Sequence, residues 1–591
     1  MTATSEAALP AWNLADLYDG PKSKALAADL DGAEAAATRF AAAYSGKLAG
    51  LDGAGLSKAI GEYEALLDTL YKVASYSQLL HAGDVADSEI GRFYQTVNER
   101  VTQISSATLF FTLELNKLDD DKIEAMLADA ALARYRPWIE GVRIYRPHQL
   151  ADDVEKILLE KAVAGSNAWV RLFDETLAHL RLDVGGEKMS LTDTLNRMTD
   201  RDGARRAEAG KALSRGLSDN ARLLAMITNT LAKDKEIEDQ WRHYADPAEP
   251  RHLANRVEPE VVDALVGAVR GNYARLSHRY YALKARWMGV EKLHWWDRNA
   301  PLPADADAKF SWDEARTIVL DAYGAFDPKM AKVARNFFDQ DWIDAPPRPG
   351  KASGAFAHPT VPSAHPCLLL NYHGKARDVM TLAHELGHGV HQMLAAKQGL
   401  LLSNTPLTLA ETASVFGEML TFRKLLDAET DGKRRRVLLA SKVEDMLNTV
   451  VRQTAFHEFE TRIHAGRKQG ELSVEEICDA WMETQKASLG PALDLDDDYR
   501  WLWGYISHFL HAPFYVYAYA FGDCLVNALY GVFKDGHPGF QAKYFDMLAA
   551  GGTKRHKELL APFGLDASDP AFWNKGLAVI SGFIDELEGE L

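Results

Sequence analysis

The stretch from Val262 to Trp287 most narrows what this chain can fold into. Val266, Val269, Tyr273, Leu276, Tyr280, Leu283 and Trp287 follow one another at alternating steps of three and four. That spacing keeps them all on one stripe of an α-helix and predicts a single long helix over 262–287. Glu258-Pro259 supplies its start, since proline is tolerated in the first helical turn. Ala-rich segments such as Ala25–Tyr44 and Leu56–Leu80 carry the same pattern, so the first half reads almost entirely as helix. Further start signals follow: Ser311 with Glu314 and Ser473 with Glu476 fit the capping box, and Asp327-Pro328 fits an N-cap with proline behind it. Strand signals are sparse: Arg181–Val184 beside Gly185-Gly186, and Cys367–Tyr372, which reads CLLLNY. A mostly α-helical fold with a small β-sheet is expected.

Helical periodicity fails over Asp339–Pro366, where Pro346, Pro347, Pro349, Pro359, Pro362 and Pro366 stand with Gly350 and Gly354. Prolines at this density exclude helix and predict a loop. A second proline-containing connection, Tyr244–Pro259, marks the expected boundary between an N-terminal helical region (1–250) and a second region (251–591). The net charge of -17 repels phosphate backbones and anionic lipids, which argues against nucleic acid and membrane partners. Three scattered cysteines, Cys367, Cys478 and Cys524, suggest neither a disulfide framework nor a thiolate metal site. Met1 to Trp12 has no basic region followed by an apolar run. No segment reaches the roughly 18 apolar residues needed to span a bilayer. A cytoplasmic location is expected, and the sequence leaves the oligomeric state open.

The stretch that carries chemistry is Thr381 to Gln392, TLAHELGHGVHQ. On a helix, His384 and His388 lie about 6 Å apart along the axis and about 40° apart around it, so both imidazoles can face one ion. Glu385 is rotated about 100° from His384. It can therefore reach a water on that ion without being a ligand, the arrangement that zinc hydrolysis needs. A tetrahedral catalytic site requires a third protein ligand. His391 lies a further turn along the same helix, roughly 10 Å in rise from His384, and three side chains of one straight helix surround an ion poorly. Glu411, in Leu407–Leu420 (LTLAETASVFGEML), belongs to a separate expected helix and is the favoured third ligand. Glu418 is two turns further on and faces the same way, where it can hydrogen-bond a ligand histidine or be merely solvated.

With GAF (Gly354–Phe356), LLLNY, TLAHELGHGVH, LAETASVFGE and HFLHAPFYVYAYAFG (His508–Gly522) in this order, and PAWNLADLYDG (Pro10–Gly20) at the start, the chain resembles the oligoendopeptidase F family. These are zinc oligopeptidases related to thimet oligopeptidase and neurolysin. The resemblance covers nearly the whole chain and implies a two-lobed helical shell around a deep central cleft. It implies one zinc ion on His384, His388 and Glu411, with Glu385 as general base. It also implies short unstructured peptides as substrates and makes 251–591 the catalytic region. The LLLNY strand is then the expected edge against which a substrate strand lies. His508, Tyr515 and Tyr517 are the expected donors to the carbonyl oxygen as it gains charge. His508, Tyr515 and Tyr519 would share a helix face, whereas Tyr517 matches the family by position. The chain departs from the family's glycine-rich loop, where it has His511-Ala512-Pro513.

The activity expected is therefore that of a zinc metalloendopeptidase. A metallocarboxypeptidase of similar helical shell is the nearest alternative; it needs a cationic pocket, for which Lys375 or Arg377 are candidates. A non-catalytic peptide-binding protein is a second, although binding alone does not require Glu385. A helical scaffold predicts no metal at all.

Overall fold

The computed structural model describes residues 9–162, 164–302 and 309–589; the reading of Met1–Trp12 lies largely outside them. The fold is mostly α-helical, with three small sheets among the described residues. Both expected capping boxes form, at Ser311/Glu314 and Ser473/Glu476. The Asp327 side chain caps the helix Pro328–Asp339. The Arg181–Val184 signal is a hairpin, with strands Leu182–Val184 and Glu187–Met189 paired antiparallel. Gly185 and Gly186 both take positive φ there, at 60° and 89°, as a two-residue type I′ turn requires.

The chain divides into two compact units, each gathered from three stretches. One comprises Met1–Arg146, Asp307–Ala428 and Gly536–Gly564; the other comprises Pro147–Ala306, Glu429–Asp535 and Leu565–Leu591. The boundary expected at 250/251 falls inside the second. In the first unit, helix Gly53–Gly83 packs Leu66, Leu70, Val73 and Tyr76 against Leu26, Leu30 and Ala33 of helix Lys24–Tyr44. Cys367 closes the same cluster, so the sheet beside the metal helix is anchored in an apolar core. In the second unit, helices Tyr517–Lys534 and Pro570–Gly589 pack closely. A Cβ on Gly576 would collide with Cys524 O at that crossing.

Three expectations are corrected. The segment 262–287 is not one helix: it runs as Pro259–Gly271, a 3₁₀ turn over Tyr273–Arg275, and Ser277–Trp287. The Asn272 side chain bonds back to Ala268 O (2.8 Å), a local alternative to continued helix. The stripe survives the break, with Val269, Tyr273, Leu276, Tyr280 and Leu283 buried. Asp339–Pro366 is not all loop, since Ile343–Asp344 and Phe356–His358 are strands. Finally, Cys367–Leu369 of CLLLNY is a central strand, parallel to Ile343–Asp344 on one side and antiparallel to Phe356–His358 on the other. Its apolar residues are all buried, as suits a strand covered on both faces. Phe356–His358, which starts at the last residue of GAF, is an edge strand of this sheet.

Candidate metal centre

His384, Glu385, His388 and His391 all lie on helix Ala376–Ala395. The residues expected as one crossing helix are two: Leu407–Ala410, a turn over 411–413, and Ser414–Ala428. That turn presses on the metal helix at Gly387, where a Cβ would collide with Ala413 O and lie 2.6 Å from Ser414 Cα. Glycine inside HExxH is thus what allows the close approach that delivers Glu411. Two residues further on, Gly389 makes the same kind of room for the Phe337 ring, which a Cβ would meet at 2.5 Å.

Glu411 Oε2 lies 3.3 Å from His384 Nε2 and 3.4 Å from His388 Nε2. One ligand atom from each of the three residues falls within 4.8 Å of the others. These gaps are long for charge-assisted hydrogen bonds, which run at about 2.7–2.9 Å. They match the edge of a tetrahedron with bonds of about 2.0–2.2 Å to a central ion, about 3.4 Å. Two imidazole nitrogens and a carboxylate oxygen are also the donor types a borderline divalent ion takes. The three residues therefore fit a zinc-sized ion.

Each of these groups is held by a neighbour. His384 Nδ1 lies 3.1 Å from Glu418 Oε2, a carboxylate behind a candidate ligand imidazole that fixes its tautomer and orientation. Burial pulls the His384 pKa down, but Glu418 and Glu411 outweigh it and raise it to about 9. Ser414 donates to Glu411 Oε2 at 2.6 Å. Burial raises the Glu411 pKa, yet the two imidazoles and Ser414 prevail and hold it at about 2. Glu385 is buried beside the cluster and receives the Ala357 N–H from the edge strand Phe356–His358. Burial raises its pKa against the charges of His384 and His388. Tyr323, which donates to Ala383 O at 2.5 Å, braces the turn that carries His384. His391 is turned to other work. It is buried, contacts Thr405 Oγ1 (3.3 Å) and bonds the Ala410 backbone, and burial lowers its pKa to about 4. It clamps the segment leading into Glu411.

The aromatic stretch lies in the other compact unit and is no regular helix. A single turn, His508–His511, is followed by Pro513, by Phe514 at φ 59°, and by helix Tyr517–Lys534. His508 Nε2 lies 3.2 Å from the Tyr519 hydroxyl. The His508 and Tyr515 rings are 6.2 Å apart, and those of Tyr515 and Tyr519 are 5.2 Å apart. All three are part-exposed. Tyr517 stands apart from them, at 0% exposure. Its hydroxyl accepts from Asn255 Nδ2 (2.8 Å) and meets His252 Nδ1 (3.0 Å). The Tyr517 phenol is thus enclosed and engaged, unlike the part-exposed rings of Tyr515 and Tyr519. Tyr519 sits with His508 and Tyr515. The helix-face spacing pointed to it, whereas positional matching pointed to Tyr517.

A helical protein that converges two imidazoles and a carboxylate, with a free glutamate alongside, is of the class built to hold one divalent ion for hydrolysis. The chain belongs to Peptidase family M3, whose model matches residues 197–579, and the Oligopeptidase F model matches 114–181. It is similar to Oligopeptidase PepF of Bacillus subtilis (28% identical, over 92% of this chain and 82% of the relative). It is also similar to an oligoendopeptidase F homolog of Borreliella burgdorferi (26%, over 90% of each). The solved structure of oligoendopeptidase-F from Enterococcus faecium superposes with a TM-score of 0.70 at 23% identity, covering 96% of this chain and 97% of that one. The chain is thus a peptidase by family. No helix among the described residues is long and apolar enough to cross a membrane.

Proposed function

We propose that this peptidase is a zinc-dependent oligoendopeptidase, cutting internal bonds of short unstructured peptides. The observation that carries the reading is the convergence of His384 Nε2, His388 Nε2 and Glu411 Oε2 beside Glu385, with both imidazole–carboxylate gaps near the edge length of a zinc tetrahedron. Zinc held by the three ligands would supply Lewis acidity and lower the pKa of a water. Glu385 takes the proton of the attacking water and passes it to the leaving amine. The Ala357 N–H steadies that carboxylate, and Glu418 and Ser414 keep His384 and Glu411 in place. His508 and Tyr515, with Tyr519, serve as donors to the carbonyl oxygen. Restriction to short peptides and to internal bonds rests on the relatives named as oligopeptidase and oligoendopeptidase.

The test is mass-spectrometric product analysis of a diverse peptide pool, with wild type and Glu385→Ala side by side. Internal cuts by wild type alone are expected. Single residues released only from the C-terminus would make the enzyme a carboxypeptidase. No products from zinc-loaded wild type would leave a peptide-binding protein.

A further inference from the structure

A cavity of about 390 Å³ lies within the second compact unit, walled in part by Trp296, Arg298, Arg452, Tyr505, Ser507 and His508. That is the size of a small-ligand site. Its unusual feature is charge: in a chain of net charge -17, neither arginine makes an ion pair among the described residues. The neighbouring acids are already occupied. Asp297 pairs with Arg206 at 2.8 Å. Asp496 accepts from Trp295 Nε1 at 3.0 Å. Glu444 is held by Lys284 (2.5 Å) and Tyr280 (2.6 Å). Arg452 donates only to the Tyr505 hydroxyl (3.1 Å) and stacks over Phe456 (4.8 Å). Arg298 Nη1, Arg452 Nε and Gln453 Oε1 are buried with no partner among the described residues. Glu444 acts on Arg298 through space but bonds Lys284 and Tyr280 instead; two guanidinium groups set into a wall without a hydrogen-bonded counter-ion favour an anion, and their planar forks match a carboxylate. The indole and phenol walls suit the apolar part of a residue that bears it.

We propose that this cavity is a carboxylate subsite for the peptide, filled by its C-terminal carboxylate or by an acidic side chain, with Arg298 and Arg452 as the recognising groups. His508 is part of its wall, so the subsite adjoins a group assigned to the scissile carbonyl. This rests on the proposed peptidase reading, and it makes the enzyme select where along a short peptide it cuts.

The test uses one cleavable peptide in three forms: free acid, C-terminal amide, and free acid with its Asp and Glu changed to Asn and Gln. Binding to zinc-loaded Glu385→Ala is measured by calorimetry, and kcat/KM with wild type. Loss of the relevant carboxylate is expected to weaken binding and kcat/KM about tenfold, through KM. Sensitivity to amidation assigns the C-terminus, and sensitivity to the side-chain changes assigns an acidic residue. In Arg452→Gln the discrimination is expected to shrink to within about twofold, with Arg452→Lys intermediate. Arg298→Gln gives a second reading where it folds. Equal binding of all three peptides, or discrimination that persists in Arg452→Gln, overturns the subsite. Absence of cleavage by zinc-loaded wild type would instead count against the peptidase reading, and the calorimetry would still decide the subsite.

Discussion

Two stretches of this chain carry its candidate chemistry, and they do so by opposite structural means. Helix Ala376–Ala395 is regular, and its ligands follow from the helical repeat: four residues bring His384 and His388 to one place, with ring centroids 5.0 Å apart. The stretch from His508 to Tyr519 is broken by Pro513 and by the positive φ of Phe514. Tyr515 and Tyr517, two residues apart, reach different surroundings, one part-exposed beside His508 and one sealed against Asn255 and His252. Regular backbone lets spacing be read as geometry, whereas irregular backbone makes each side chain a separate question.

The comparison can be broken most forcefully at Glu385. Glu385→Ala is expected to keep its zinc while kcat falls by roughly 10²–10⁴, measured by metal analysis alongside peptide turnover. Substantial residual turnover would remove the general base. The next test separates two residues that share histidine-zinc chemistry on paper. Glu411→Ala is expected to weaken zinc by more than about 100-fold in chelator competition, beyond what loss of a supporting group costs. His391→Ala should leave zinc within a few-fold but cost roughly 1–3 kcal/mol of stability, because it strips a partner from the Ala410 backbone. The reverse order would move the third ligand to His391.

The irregular stretch is tested by a tyrosine pair. Tyr515→Phe is expected to lower kcat by up to roughly 100-fold with KM little changed. Tyr517→Phe should leave kcat alone and cost about 1 kcal/mol of stability. A kcat loss in Tyr517→Phe alone would restore it as the donor.

The smallest effect concerns the support of Phe514. Glu460 accepts the Phe514 N–H at 2.8 Å, and burial raises its pKa to about 8, against the Phe514 bond and Arg251. An acid whose folded pKa is raised is best tolerated below its unfolded pKa and loses stability as pH rises through the folded one. Glu460→Gln keeps an acceptor without that titration. Its Tm relative to wild type is expected to climb by roughly 1–3 °C between pH 5 and 8 in a thermal melt series. A pH-independent difference would show that Glu460 does not titrate there.

Much of this was legible in the sequence, for physical reasons. Helical content, both capping boxes and the glycine hairpin follow from local rules, and so do the two histidines on one face. The break at Asn272 was hidden because periodicity reports which residues share a face, and the buried stripe runs on across the 3₁₀ turn. The central place of Cys367–Leu369 was hidden because strand order depends on partners 9 to 25 residues away, in a segment whose prolines read as loop. Gly387 looked like one of the free positions of HExxH; only the crossing turn reveals why no side chain fits there. Arg298 and Arg452 lie far apart in sequence, and nothing local marks them as lining one cavity.

The measurement that bears most directly on the central claim is anomalous diffraction at the zinc edge from crystals of the zinc-loaded protein. The account predicts one strong peak about 2.0–2.2 Å from His384 Nε2, His388 Nε2 and a Glu411 oxygen, with Glu385 uncoordinated. A peak bonded to His391, or a peak lacking Glu411, would contradict it.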